Sequence, residues 1–283
     1  MNAPAQTRGR RPKRSVAPAP GDVFERTVDE GQRRLERGWL QLAATGAVGG
    51  IDVGLGVLAL FLVQRSTHDE VLSSLAFGTG FVALTLAQSE LFTENFLVPI
   101  AAIAAGRARW LELARLWVVT LVFNLIGGWV ITGLIVTGIP KLGPIAIKIG
   151  RFYPDIGFGF HALALAMLGG CVITLMTWMV HSTTSVPAQL TAAVVAAFLL
   201  AAGPLDHAIV VSLEMFAALH AGAPFGYASW LATVAWASLG NILGGVGLVT
   251  VLRLVQVGGR KIAEEREEVD PGAGLVVVQS DRD

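Results

Sequence analysis

Two short polar stretches interrupt long apolar runs and carry the side chains best suited to moving a proton or holding an ion. The first is Ser89-Glu90-Leu91-Phe92-Thr93-Glu94-Asn95, inside an apolar run from Val71 to Ala105. The second is Gly203-Pro204-Leu205-Asp206-His207, inside a run from Pro187 to His220. His207 is the central group, because histidine changes charge near neutral pH and can give a proton to a passing weak base. Its bland reading is a neutral core histidine bonded to backbone, but an ionisable group at membrane depth is costly and points to function. Thr93 is donor and acceptor at once and could fix the His207 tautomer; it could equally cap the half-helix that follows. The carboxylates Asp52, Glu90, Glu94, Asp206 and Glu214 all lie within apolar runs. Glu214 follows His207 by seven residues, which places both on one helix face. If charged, these acids would repel an anion; burial disfavours the charged form. Glu90 and Asp206 could also bond backbone N–H groups left free at the two breaks.

The elements that must position these groups follow from length. The two runs are 35 and 34 residues long, and a membrane-spanning helix needs only about 20. A straight helix of that length would overshoot the bilayer and bury its acids in hydrocarbon. Non-helical polar backbone at that depth is tolerated only inside protein or along a cavity. Each run therefore reads as two half-helices around a polar break, and broken spans in matching halves of a chain mark a transport site near the midplane. The 283 residues are 53% hydrophobic and 15% charged, against about 45–50% and about 25% in soluble domains. The expectation is an all-α polytopic membrane protein. Six spans are predicted: 38–63, the broken run 71–105, 111–136, 158–180, the broken run 187–220, and 227–255. A proline-rich connection, 137–157, carries Lys141, Lys148 and Arg151.

The flanks differ in character. Residues 1–20 are a basic tail expected to be disordered, and 21–37 read as an interfacial helix lying on the membrane. Residues 38–255 form the transmembrane domain, and 256–283 a charged tail. Net charge is zero, yet residues 1–37 hold nine basic and five acidic groups while residues 38–254 hold eight and nine. Six spans put both termini on one side, together with Arg107, Arg109, Arg253, Arg260 and Lys261, so both are expected in the cytoplasm of an inner-membrane protein. Basic residues beside a membrane need no nucleic acid to explain them. The single cysteine, Cys171, has no partner for a disulfide or a metal site. No metal cluster, nucleophile motif or phosphate-cradling loop is present, so neither an enzyme nor a cofactor is expected.

An internal repeat organises the spans. Asn124-Leu125-Ile126-Gly127-Gly128 in the third recurs as Asn241-Ile242-Leu243-Gly244-Gly245 in the sixth, 117 positions on. Thr93 lies 31 residues before Asn124, and His207 lies 34 before Asn241. Each unit has three spans, an odd number, so the second must be inserted upside down. The glycines let neighbouring helices approach closely.

These residues resemble the formate/nitrite transporter family. Glu90-Leu91-Phe92-Thr93-x-Asn95 is similar to the signature of its first broken helix, and Asp206-His207 to its second. The Asn-x-x-Gly-Gly elements resemble those of its third and sixth helices, and the resemblance covers about residues 25–255. It implies an aquaporin-like protomer of six helices, assembled as a homopentamer and conducting small monovalent anions or their acids. By that resemblance His207 is the pore histidine, Thr93 its partner, and Phe77, Phe81, Leu91, Phe92 and Leu200 the two apolar constrictions. Lys148 or Arg151 would serve as the vestibule cation. In the implied mechanism an anion takes a proton near the histidine and crosses the dry constriction as a neutral acid, which removes most of its cost of entry. This chain has Glu94 where the family usually has Gly or Ser, and Gly170 and Val211 where it has asparagines. Two other readings follow from the acids and the tails: a pore lined by Glu94 and Glu214 for protons, cations or neutral solutes, and a non-conducting scaffold or sensor.

Overall fold

The computed structural model describes residues 18–269. The tail expected to be disordered lies, for residues 1–17, outside the described residues, as do residues 270–283. Among the described residues the chain is helical throughout, with no strand.

The chain opens with α1 (Pro20–Leu35), then runs through α2 (Trp39–Thr67) and α3 (Glu70–Ala87). After the first break, with a 3-10 turn at Phe92–Phe96, come α4 (Val98–Ala104) and α5 (Trp110–Gly138). Two short helices follow, α6 (Gly143–Gly150) and α7 (Phe152–Ile156), and then α8 (Phe160–His181). The second break separates α9 (Val186–Ala202) from α10 (Ala208–His220). Last are α11 (Tyr227–Ile242), a π-helical segment Leu243–Thr250, α12 (Val251–Val257) and α13 (Gly259–Val269). Both long apolar runs are thus broken, at 88–91 and at 203–207. The expected connection at 137–157 differs: it holds two short helices, and α6 packs against α10 because Gly150 gives way to Ala218 and the Glu214 backbone.

Local chemistry sets the boundaries. Helix α2 ends at His68 in the left-handed region, φ 57°, and Asp69 at once caps α3 by accepting from Val71 N at 2.8 Å and Leu72 N at 2.9 Å. Helix α3 stops at Gln88, also left-handed at φ 54°. Pro187 sits in the first turn of α9, where its missing N–H costs nothing. Many large apolar side chains face outward, among them Leu40, Leu111 and Phe160, which suits a hydrocarbon solvent rather than water. Among the described residues five helices are long and apolar enough to cross a membrane.

The repeat is visible in single contacts. A Cβ at Gly127 would run into the Ala47 carbonyl oxygen, and one at Gly244 into that of Met167. The third span thus lies against the first as the sixth lies against the fourth. The sixth span departs from a plain helix at Leu243–Thr250, a π segment that contains the glycine pair. There Thr250 donates its hydroxyl to the Phe96 carbonyl at 2.7 Å, tying the sixth span to the first break.

Gly127→Ala and Gly244→Ala are each expected to lower the melting temperature of the purified protein by about 5 °C or more, because backbone must move to admit the methyl. Gly247→Ala, which meets nothing within 4 Å, should leave it unchanged. Scanning fluorimetry in detergent reads all three.

Candidate functional site

The two breaks meet through one hydrogen bond. Thr93 Oγ1 and His207 Nε2 are 2.6 Å apart, and both residues are fully buried. His207 is also the N-cap of α10, its Nδ1 accepting from Val210 N at 3.3 Å. An imidazole that accepts at Nδ1 carries its proton on Nε2, so it donates to Thr93. The Thr93 hydroxyl, with its oxygen engaged, keeps its own O–H to offer elsewhere. Phe77, Phe81, Leu91, Phe92 and Leu200 all belong to one buried apolar cluster, with Phe77 and Phe81 in ring contact at 5.7 Å. The structure therefore gathers the five constriction candidates into the core in which both breaks lie.

The backbone at each break is held by an asparagine of the repeat. Asn124 Nδ2 donates to the carbonyls of Gly46 (2.7 Å) and Glu90 (2.9 Å), and its Oδ1 accepts from Phe92 N at 2.8 Å. Asn241 Nδ2 donates to the carbonyls of Ala166 (2.7 Å) and Asp206 (2.8 Å), and its Oδ1 accepts from Ala208 N at 2.9 Å. The two clamps are the same motif built twice. They also set the register: Glu90 matches Asp206, so Leu91 matches His207, and Thr93 has Ile209 as its counterpart. The glycines beside each asparagine serve the same end, since Gly50 and Gly170 let those backbones close in.

The carboxylates are treated unequally. Glu94 turns back to accept from Leu91 N at 3.1 Å. Glu90 bonds no backbone N–H; its Oε1 takes Arg34 at 3.2 Å and also Arg37. Arg34 reaches in from α1, bonding Glu30 at 2.9 Å and Asn95 Oδ1 at 3.1 Å. On the opposite side, Asp206 Oδ1 has no hydrogen-bond partner among the described residues, and Glu214 accepts from the Tyr153 hydroxyl at 2.5 Å. Asp52 accepts from Ser89 at 2.6 Å. Among the described residues no group of three or more His, Cys, Asp or Glu is placed to hold a metal ion.

A cavity of about 480 Å³ opens beside α1 and reaches the first break, lined by Arg33, Arg34, Arg37, Glu90, Glu94 and His181 among others. The vestibule candidates lie elsewhere: Lys148 is exposed on α6, and Arg151, half exposed, faces Asp155 at 3.4 Å. Sequence reasoning missed Arg34, Arg37 and Tyr153. A signal for Arg34 exists, since Phe24, Thr27, Val28, Gly31 and Leu35 form a buried stripe at helical spacing and Arg34 falls on it. For Glu30, burial pushes the carboxyl up, but the Arg34 guanidinium more than offsets this and holds it below its ordinary 4.5. Arg34 is itself pushed down by burial, and Glu90, Glu30 and Glu94 together raise it above its ordinary value.

Six spans, two of them broken at a shared buried hydrogen bond and related by an inverted repeat, define a helical membrane protein of the channel and transporter class. The family model "Formate/nitrite transporter" matches residues 21–255, and the chain belongs to that family, whose members are channels and transporters rather than enzymes. It is 24% identical over 281 residues to the inner membrane protein YfdC of Escherichia coli (strain K12), covering 92% of this chain and 86% of that one. It is 23% identical over 246 residues to the uncharacterized transporter YrhG of Bacillus subtilis (strain 168), covering 81% and 91%. Among solved structures, a channel described as an FNT family ion channel superposes with a TM-score of 0.69 at 19% identity, over 83% of this chain and 98% of that one. A pentameric formate channel with formate bound gives 0.64 at 20%, over 77% and 96%. These likenesses fix the fold.

Removing either clamp leaves two carbonyls and an N–H unpaired in a dry place, at about 1–3 kcal/mol each. Asn124→Ala and Asn241→Ala should therefore each abolish a monodisperse gel-filtration peak. The depressed Glu30 carboxyl stabilises α1 docking above its ordinary value, and this is lost as pH falls through the lower, folded value. Protection of α1 from protease should thus hold from pH 8 to pH 5 and fail only in stronger acid.

Proposed function

We propose that the protein is a channel or transporter for small monovalent weak-acid anions of the formate and nitrite kind, with proton coupling through His207. The observation that carries this reading is the buried contact between Thr93 and His207 at 2.6 Å, set within an apolar cluster. An anion entering such a core bears a large desolvation cost unless it is hydrogen-bonded or neutralised. The free Thr93 O–H supplies the bond. A proton taken from the aqueous side onto Nδ1, in place of the Val210 N–H contact, makes His207 cationic. Nε2 then gives its proton to Thr93 as the Thr93 hydroxyl gives its own to the anion, the imidazole is left neutral, and the substrate crosses as an uncharged acid. The five constriction residues then exclude water and ions while admitting the acid. The membership of the family, and the formate seen in a solved relative, support the substrate class.

The same reading includes a homo-oligomer, by likeness to the pentameric formate channel, and an inner-membrane location, by the name of the Escherichia coli relative. Both termini are assigned to the cytoplasm on the basic residues of segment 1–37 and on Arg107, Arg109, Arg253, Arg260 and Lys261. A second reading, a pore for protons or cations, is favoured by one observation: Asp206 and Glu214 have no ion pair among the described residues, whereas Glu90 is paired with Arg34.

Proteoliposomes challenged with formate, nitrite and acetate from pH 5 to pH 8 separate the two. Uptake that rises as pH falls, with a proton delivered inside, is expected. His207→Ala and Thr93→Ala should each abolish it while leaving assembly intact on gel filtration, and undiminished uptake in both would sink the mechanism. Cation flux without anion flux would favour the second reading.

A further inference from the structure

Glu94 is an obstacle to any anion bound at Thr93. It is the next residue in the chain, it is buried, and Glu90 lies on the other side of Leu91 and Phe92. Two carboxylates at this range should exclude an anion, by roughly tenfold or more for each charge left uncompensated. The geometry points to Arg34 as the specificity-determining residue that lifts this exclusion, which is an inference resting on the anion-transport reading. Its guanidinium carries the positive charge of the surface helix into the first break and makes that break passable to anions.

Three observations converge on it. Arg34 is only 8% exposed although it belongs to a helix on the protein's flank. A residue serving only to stabilise α1 internally would need no more than its Glu30 partner, four positions back on the same helix. Instead Nε also meets Glu90 Oε1 at 3.2 Å and Nη1 donates to Asn95 Oδ1 at 3.1 Å, the last polar residue of the break. Asn95 in turn is fixed through its carbonyl, which accepts from Trp117 Nε1 at 2.9 Å. Arg37 adds a second guanidinium on the same Glu90 oxygen. The arginines also line the cavity that leads to the break, so their charge faces the route an ion would take as well as the protein interior.

The positions involved explain why α1 is placed where it is. Gly31 sits directly against the Val98 carbonyl, with no room for a side chain, and this close approach brings Arg34, one turn on, level with the break. Phe24 and Val28 pack on Ala101 of α4 and on Ala105 just past its end. Helix α1 is held by apolar packing and the charge is delivered at its end. The opposite break has no such helix: each of the matched acids keeps one oxygen without a partner, but Glu90 is ion-paired through the other and Asp206 has no ion pair among the described residues. The chain thus compensates its acids on one side of the midplane through an element that lies outside the inverted repeat.

The test is a charge cycle in full-length protein reconstituted into proteoliposomes, with formate uptake and its half-saturating formate concentration as readouts. The half-saturating concentration reports how well the break admits the anion and is independent of how much protein inserts. Arg34→Gln is expected to raise it about tenfold or more. Arg34→Lys should stay close to wild type, and Arg34→Gln/Glu94→Gln should recover most of what the single change loses. Wild-type values in Arg34→Gln, or a double variant no better than the single, would overturn the inference while leaving formate transport standing. A wild-type protein that moves no formate would instead remove the transport reading, and this inference with it. If Arg34→Gln fails to assemble, Glu94→Gln decides: a lowered half-saturating concentration supports the role of Arg34, and an unchanged one overturns it.

Discussion

Breaking a helix in the middle of a bilayer sets the terms for everything else in this molecule. Each break frees N–H and C=O groups that hydrocarbon cannot satisfy, and each unsatisfied group costs several kcal/mol. The chain meets this twice with the same device, an asparagine whose amide spans two carbonyls and one N–H. The clamp works only if backbones approach closely enough for one short side chain to reach both. That requirement accounts for the glycines beside it, Gly50 and Gly127 in one half and Gly170 and Gly244 in the other. With backbone demands met by Asn124 and Asn241, the side chains at the breaks are released for other work. Thr93 and His207 can face each other, and Glu90 need not serve as a cap.

The two halves share a scaffold but not a chemistry. The clamps align Leu91 with His207, so one break presents an apolar residue where the other presents an imidazole. Thr93, two residues further along, is what reaches across to it. The acids diverge in the same way: Glu90 is neutralised by α1, while Asp206 and Glu214 lie near Tyr153 with no cation bonded to them in the described contacts. An inverted repeat makes the path pseudo-symmetric in shape. Charge is then assigned by what lies outside the repeat, the surface helix on one side and α6 with α7 on the other.

What the sequence disclosed, and what it withheld, follows from range. Apolar run length and the polar interruptions located the broken helices closely, because burying acids and backbone in hydrocarbon is penalised wherever it occurs. The twin Asn-x-x-Gly-Gly elements announced the repeat, since a clamp needs a fixed residue type at a fixed place. The register between Thr93 and His207 was less accessible: counting back from the asparagines gives 31 and 34 residues, and only the hydrogen bonds show that Phe92 and Ala208 are the equivalent positions. Helices α6 and α7 were hidden by three prolines, which read as loop but stand in first turns or short helices, where proline is tolerated. The π segment had no signal beyond extra glycine.

The case of Arg34 is the most instructive, because the signal was present and went unused. A charged helix with scattered apolar residues reads as lying on a membrane, its arginines toward the headgroups. The apolar stripe through Phe24, Val28 and Leu35 packs on α4 and on the neighbouring spans α2 and α5. Arg34 lies on that stripe, and an arginine on a buried face is tolerable only if opposite charge waits for it. Glu90 and Glu94 are that charge, and on their own they pose the complementary problem of two acids buried in the proposed anion path. Neither anomaly is resolved within its own segment. Taken together, 56 and 60 residues apart in the chain, they cancel, and each becomes evidence for where the other must be.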